Sequence, residues 1–331
     1  MIKPPKLDLI VTHYKEPWSV GKKFFDMLAL QRGVNFSDFS VIFVQDGKDG
    51  EILWDNIDDW YPFDISIINI EHAGVSVARN TGLKEADTEW VMFCDFDDMF
   101  STVYSLRMYF ESMSDKYDMV FSSTYNEVER EDGRYRLDTF ADNSIFIHGK
   151  MFRRLFLVDN NLLFEPGICY AEDTLFCNVV DTVLDPGRKK KINEVLYFRS
   201  YVEDSVSKDE KNSFRNAVSL FRMRWKLTAE YYDRGCIKNA TGMVVKTILD
   251  YYYAVVGKAY PNIEWFEKDF WLFWSMYKDV FLSADHYLIS YENNKAINEA
   301  SQKGYIAIPT VSFYDWLRSM KDKYEKRDEN G

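Results

Sequence analysis

The stretch Trp90-Val91-Met92-Phe93-Cys94-Asp95-Phe96-Asp97-Asp98 decides how this chain is read. Five apolar residues run directly into a segment with three carboxylates. An apolar run of this kind reads as a strand buried on both faces. Its interior has no room for the acids, because an unpaired buried carboxylate costs several kcal/mol. The aspartates therefore belong at the strand's end. In open α/β sheets, ligands bind at the carboxyl ends of strands. A dense patch of hard oxygen ligands there suits Mg²⁺ or Mn²⁺ bound together with a diphosphate. Asp-x-Asp triplets also arise by chance in a chain with 53 acidic residues among 331. The neighbouring segments therefore carry the rest of the reading.

Around this strand the chain alternates short apolar runs with amphipathic stretches. Leu9 to Val11, Val41 to Val44, Ile65 to Ile70, Val91 to Cys94 and Met119 to Phe121 are the strand candidates. Phe24 to Leu30 and Val77 to Ala86 have helical spacing. This is the rhythm of a three-layer α/β domain with a mostly parallel sheet. Ser144 to Ile147 is a further strand candidate, with a helix expected from about Lys150 to Val158 and another from Ala171. The composition shifts near Ser205, after which strand signals fade. Helical patterns run at roughly 212–234, 240–257, 262–283 and 310–326. The expected division is a catalytic domain over 1–209 and a helical region over 210–331. Trp265, Trp271, Trp274 and Trp316 make the second region aromatic-rich. They read first as core, and secondly as a dimer face or an acceptor platform.

Composition bounds the function classes. A hydrophobic share of 47% and an aromatic share of 17% describe a folded globular chain. The net charge of −12 argues against general nucleic-acid binding. The runs Arg153-Arg154 and Arg188-Lys189-Lys190-Lys191 read as solvated helix ends or turns. Cys94, Cys169, Cys177 and Cys236 lack metal spacing and read as reduced thiols. His13, His72, His148 and His286 form no local pair at metal-ligand spacing. Neither a secretion signal nor a run of about 20 apolar residues is present, so a cytoplasmic place is expected, with peripheral membrane contact left open.

Each early strand ends in polar residues. Val11 leads to Thr12, His13, Tyr14 and Glu16, and Val44 leads to Gln45-Asp46-Gly47. If these strands are parallel neighbours, their ends share one edge with Asp95, Asp97 and Asp98. Tyr14 could stack on a nucleobase and Asp46 accept a hydrogen bond from it. Asp95 could reach a ribose hydroxyl, and Asp97 a metal on the diphosphate. Asp46-Gly47 is equally an ordinary turn dipeptide. Ser76 is a candidate helix N-cap, and Arg79 either pairs with phosphate or is a helix-surface residue.

In order and spacing, these segments resemble family 2 glycosyltransferases of the GT-A fold. The resemblance covers about residues 7 to 207. It rests on Thr12-His13-Tyr14-Lys15-Glu16, Asp46-Gly47, Gly74-Val75-Ser76-Val77-Ala78-Arg79-Asn80-Thr81-Gly82, Asp95-Phe96-Asp97-Asp98, Gly149 to Arg154 and Ala171-Glu172-Asp173-Thr174-Leu175-Phe176. It implies a Rossmann-like α/β/α domain that binds a nucleotide sugar, with UDP the first choice of nucleotide. The implied donor-binding residues are Thr12, Tyr14, Glu16, Asp46, Arg79, Asp95 and Arg199. The implied metal ligands are Asp97 and Asp95, holding Mn²⁺ or Mg²⁺. Asp173 is the implied base, oriented by Glu172. Many relatives carry a His after the last strand, but Tyr197 to Ser207 has none; Arg199, Ser205 or Ser207 are the alternative phosphate contacts.

The implied chemistry is transfer of a sugar to an acceptor hydroxyl. A cation at Asp97 and Asp95 offsets charge on the departing diphosphate. A carboxylate within hydrogen-bond reach takes the acceptor's proton. A base facing the leaving group across the sugar implies inversion. The acceptor is a glycan, a protein or another hydroxyl-bearing molecule. The rival readings are a sugar nucleotidyltransferase, a glycoside hydrolase with two carboxylates, and an inactive nucleotide-sugar-binding protein. The segment Thr12 to Val20 lacks the Gly-rich basic phosphate loop a nucleotidyltransferase would want. Without the resemblance, Glu172-Asp173 would read as acids decorating a helix N-terminus.

Overall fold

The structure, a computed structural model, describes residues 6–48, 60–130, 132–141, 145–201, 213–253, 263–302 and 311–325. The first apolar run forms β1 (Leu7–His13), buried along its whole length. It lies between β2 (Phe39–Asp46) and β4 (Trp90–Asp95), parallel to both, and β3 (Asp64–Ile70) extends the parallel set beyond β2. The other strands are β5 (Met99–Phe100), β6 (Met119–Glu129), β7 (Tyr135–Phe140), β8 (Lys150–Arg153) and β9 (Lys189–Arg199). They complete one mixed sheet in the order β3-β2-β1-β4-β8-β6-β9-β5, with β7 paired to β6. The parallel expectation holds for the first four strands and for β6 with β9, while β8, β7 and β5 join antiparallel.

Alternation along the strands sends side chains to two cores. Leu9 and Val11 of β1 pack with Phe24, Phe25 and Leu28 of α1 (Trp18–Ala29) and with Leu106 and Tyr109 of α3 (Ser105–Ser112). Ile10 and Phe93 face the other layer. There they meet Ala78 and Leu83 of α2 (Val75–Glu85), Leu157 of α4 (Arg154–Asp159), and Phe176 and Val180 of α5 (Glu172–Val183). Gly82 has a packing reason: a Cβ there would lie 2.4 Å from Ile10 Cγ2, so only glycine lets α2 close on β1.

The helical candidates beyond residue 210 appear as α6 (Ser213–Asp233), α7 (Ile237–Tyr251), α8 (Glu264–Leu282) and α10 (Phe313–Tyr324). The chain separates into two compact units, Met1–Ser205 and Val206–Gly331. The second has its own core, in which Phe221, Tyr251, Phe270, Phe273, Trp274 and Trp316 are buried. Trp271 packs against that core, whereas Trp265 is 46% exposed. Among the described residues, no helix is long and apolar enough to cross a membrane.

Four expectations are corrected. Ser144 lies outside the described residues, and Ile145 to Ile147 are not strand. The strand is Lys150–Arg153, where a helix was expected, and the helix is only Arg154–Asp159. Met151 and Phe152 are buried between β4 and β6, and a short buried apolar run has no period to separate strand from helix. Ser76 is not the N-cap; Gly74, with φ of 92°, precedes α2, and Ser76 is buried inside its first turn. Only Arg188 of the basic run closes a turn, since Lys189 to Lys191 open β9. α9 (His286–Gln302) and β7 had not been expected.

Candidate active site

The parallel arrangement brings the ends of β1, β2 and β4 to one edge. Thr12 is buried and registers with Val44 on one side and Asp95 on the other. Beyond it the chain turns sharply, with Lys15 at φ of 70°. The Glu16 carboxylate pins this turn by accepting the Tyr14 N–H at 2.8 Å, and buried His13 donates through Nε2 to the Glu16 carbonyl at 2.8 Å. The Tyr14 ring is thereby held out from the edge, stacked on His72. Asp46 closes β2. It is buried and accepts the N–H groups of Ala73 at 2.7 Å and Gly74 at 2.9 Å, with His72 Nδ1 at 3.0 Å. Asp46 is therefore more than a turn residue, because it fixes the loop that leads into α2.

Arg79 is not a helix-surface arginine. It is 2% exposed, and its guanidinium donates to Asp95 Oδ1 and to Glu172 Oε1, both at 2.8 Å. Its plane lies over Phe164, 5.1 Å from the ring centroid. The next residue, Asn80, exchanges hydrogen bonds with the backbone of Phe164 at 2.7 and 2.9 Å. Adjacent residues of α2 thus tie down both ends of the segment that delivers Glu172 and Asp173. Burial alone would lower the Arg79 pKa, but Asp95 and Glu172 outweigh it and hold the cation charged. Burial would likewise raise Asp95; Arg79 and His148 reverse this and hold its carboxyl well below the usual range.

His148 was not singled out from the sequence. It is buried, and its Nε2 lies 2.8 Å from Asp95 Oδ2 and 3.6 Å from Asp98 Oδ2. Burial, aided by Arg199, depresses its pKa to about 4 against the opposing pull of Asp95. Asp98 is also buried; its Oδ1 accepts the Ser200 N–H at 3.1 Å, and burial, then Asp97 and Asp95, raise its pKa. Among the described residues, Asp95, Asp98 and His148 form the group able to hold a cation, with one donor atom from each within 4.8 Å of the others. The fit is chemical as well as geometric. A neutral imidazole is a competent ligand, and Asp98 Oδ2 is a buried carboxylate oxygen with no hydrogen-bond partner. Two carboxylates with one imidazole suit Mn²⁺ better than Mg²⁺, which prefers oxygen alone. Asp97, the ligand chosen from the sequence, is half-buried and outside this group. Burial, with Asp95 and Glu16 nearby, pushes it up to about 6. One signal for His148 was available: it ends the apolar run Phe146-Ile147 just before Gly149, as Asp95 ends β4.

Asp173 is the second residue of α5, behind Ala171 in the left-handed region at φ of 65°. Burial and the adjacent Glu172 push its carboxyl up to about 6, against the pull of Arg79 and of the Thr174 N–H. Glu172 is committed to Arg79. Arg199, at the end of β9, stacks its guanidinium on Phe146 at 4.6 Å, and its charge reaches Asp98, His148 and Asp173. Ser205 and Ser207 lie outside the described residues. All of the predicted site residues that are described stand on the first unit.

Comparison with known proteins shows the family and the fold. Residues 8–171 match the profile described as "Glycosyl transferase family 2". The chain belongs to that family. Two Bacillus subtilis proteins are similar to it, each at 27% identity. The uncharacterized glycosyltransferase EpsJ aligns over 58% of this chain and 60% of its own length. The minor teichoic acid biosynthesis protein GgaA aligns over 51% and 42%. This family 2 chain therefore spans about half the length of these curated relatives. Its fold resembles S. aureus TarS 1-349 in complex with UDP-GlcNAc, at TM-score 0.62 and 15% identity over 90% of this chain and 92% of that one. It also resembles the mannosyltransferase PcManGT from Pyrobaculum calidifontis in complex with GDP-Man and Mn2+, at TM-score 0.52 and 14% identity over 98% and 88%. At such identities the likeness is one of fold, and the GT-A expectation is met.

Proposed function

We propose that the chain transfers a sugar from a nucleotide-sugar donor, with UDP-sugars the first choice, to an acceptor hydroxyl with inversion at the anomeric carbon. The observation that carries this reading is the convergence of Asp95, Asp98, His148, Arg199 and Asp173 at the strand ends of a family 2 fold. Tyr14 and Asp46 serve the nucleobase, Thr12 and Glu16 shape the turn beside it, and Asp95 meets the ribose. Asp95, Asp98 and His148 would hold Mn²⁺ or Mg²⁺, with Asp97 the half-buried carboxylate next to them. Such a cation, when bound, supplies positive charge against the diphosphate leaving group. Because Arg79 is committed to Asp95 and Glu172, it acts as a positioning residue, and Arg199 takes the phosphate contact.

Asp173 accepts the proton of the acceptor hydroxyl as that oxygen bonds to the anomeric carbon. The bond from that carbon to the phosphate oxygen breaks, and the nucleoside diphosphate departs with its electron pair. The raised Asp173 carboxyl suits a base that works near neutral pH. The acceptor is a glycan, a protein or another hydroxyl-bearing molecule. The unit from Val206 onward serves acceptor choice or self-association, and the work is done in the cytoplasm. The fold neighbours with UDP-GlcNAc and with GDP-Man and Mn2+ support a nucleotide-sugar donor of this type. The test is a panel of nucleotide sugars scored for Mn²⁺-dependent thermal stabilisation and slow donor hydrolysis. One or more UDP-sugars should score on both. A panel without any such donor, on folded protein, overturns the proposal.

A further inference from the structure

The slot expected to take the donor's base is filled by one of the protein's own side chains. The His72 imidazole lies on Tyr14 with ring centroids 4.2 Å apart and planes 12° apart. Its Nδ1 is 3.0 Å from Asp46 Oδ2, and with a carboxylate as acceptor that nitrogen is the one carrying the proton. A flat ring on Tyr14 with a ring N–H donating to Asp46 makes the two contacts a uracil-type imide would make there. We infer that His72 is a stand-in for the nucleobase, holding the slot in the nucleotide-free protein until the base displaces it. The inference rests on the nucleotide-sugar reading of this edge.

Several observations make the imidazole a removable occupant and not a structural prop. The loop is fastened to Asp46 through the Ala73 and Gly74 N–H groups, at 2.7 and 2.9 Å, without help from the ring. The His72 side chain is 54% exposed while Asp46 is 4% exposed, so the ring can rotate into water and leave the loop in place. After rotation, Asp46 Oδ2 keeps the Gly74 N–H and regains a lone pair for a base N–H. The Lys15 ammonium also stands over the Tyr14 ring, 4.7 Å from its centroid. Gly47 completes the arrangement. At φ of 106° it carries no side chain where a Cβ would come within 3.1 Å of His72 Cβ, which lets residue 72 sit over the end of β2.

The consequence is a threshold on affinity. Every nucleotide gives up the imidazole's stacking and hydrogen bond before it gains its own, so a base that restores both competes and a flat ring alone competes poorly. The test is calorimetry on the full chain with UDP and with inorganic pyrophosphate, each with Mn²⁺. Pyrophosphate reads the cation and phosphate part of the site without a base. His72→Ala should bind UDP about three- to tenfold more tightly than wild type. His72→Phe, which keeps a flat ring and loses the N–H, should fall between them. Pyrophosphate affinity should change by less than about twofold in both variants, which also shows that the site is intact. If wild type binds UDP and His72→Ala binds it equally or more weakly, the stand-in role is wrong while the nucleotide reading survives. If UDP binds neither protein but pyrophosphate does, the nucleotide reading falls and takes this inference with it.

Discussion

Replacing Arg79 by leucine removes the cation at the centre of the site. Arg79 is 2% exposed and makes two ion pairs at 2.8 Å, while its Nε has no partner. All of its polar value therefore lies in the two terminal nitrogens. Removing one partner of a buried ion pair costs about 3–5 kcal/mol, mainly through the charge left behind. Here two carboxylates lose their cation, but the Asp95 and Glu172 side chains are 29% and 13% exposed and keep some hydration. Asp95 also keeps His148. These facts favour the low end, about 3 kcal/mol. For a unit of this size that is a fall in melting temperature of roughly 6–12 °C. Differential scanning calorimetry of the full chain reads it in the transition of the first unit. Arg79→Lys keeps the charge but cannot span both carboxylates, so it should recover about half of the loss or less. The pH dependence has a definite sign. The Asp95 carboxyl is lowered in the folded protein, so the stabilisation is complete above the unfolded value near pH 4 and fades as the pH falls below it. The gap between wild type and Arg79→Leu should therefore narrow in acid. A loss under about 1 kcal/mol at neutral pH would refute the central role given to this arginine.

Asp173→Asn should keep donor affinity and lose roughly 10²–10⁴ in turnover; near wild-type transfer would move the base elsewhere, with Glu172 next in line. Because the Asp173 carboxyl is pushed up to about 6 and works ionised, the rate of the donor-bound enzyme should climb with pH through about 6 and then level off. A flat profile from pH 5 to 8 contradicts that assignment. Asp98→Asn and His148→Ala should each raise the half-saturating Mn²⁺ concentration by roughly tenfold or more, the scale on which even indirect metal partners act. Asp97→Asn should do less; if it abolishes the metal effect and Asp98→Asn does not, the cation sits where the sequence alone had put it.

The strand ends were legible because strands buried on both faces announce themselves, and an acid inside one needs its own hydrogen-bond donors, as buried Asp8 of β1 has in Ser40 and Thr88. Thr12, Asp46 and Asp95 meet at one edge for that reason. The partners of Asp95 were not legible. Arg79 is 16 residues away, Glu172 lies 93 residues beyond Arg79, and His148 is 53 residues from Asp95. Those pairings are set by helix packing and by the antiparallel seat of β8, for which no local pattern exists. Arg79 was read as a phosphate contact or a helix-surface residue, and nothing local announces the two acids it meets. It is buried because two acids compensate it. Lys150–Arg153 was misread because a strand of four residues, three of them buried, carries no period, and α9 because polar residues such as Asn293 and Asn294 dilute its apolar face. In the turn after β4 the Asp98 N–H bonds the Asp95 carbonyl and the Asp98 side chain turns to Ser200 and His148, a placement that no local pattern announces.

The most direct test of a cation-dependent nucleotide site at this edge is calorimetric titration of the full chain with UDP, with and without Mn²⁺. UDP should bind tightly only with the metal, and Asp95→Ala should lose that dependence. Equal affinity with and without Mn²⁺, or an undiminished metal effect in Asp95→Ala, would contradict the placement of donor and cation at the end of β4.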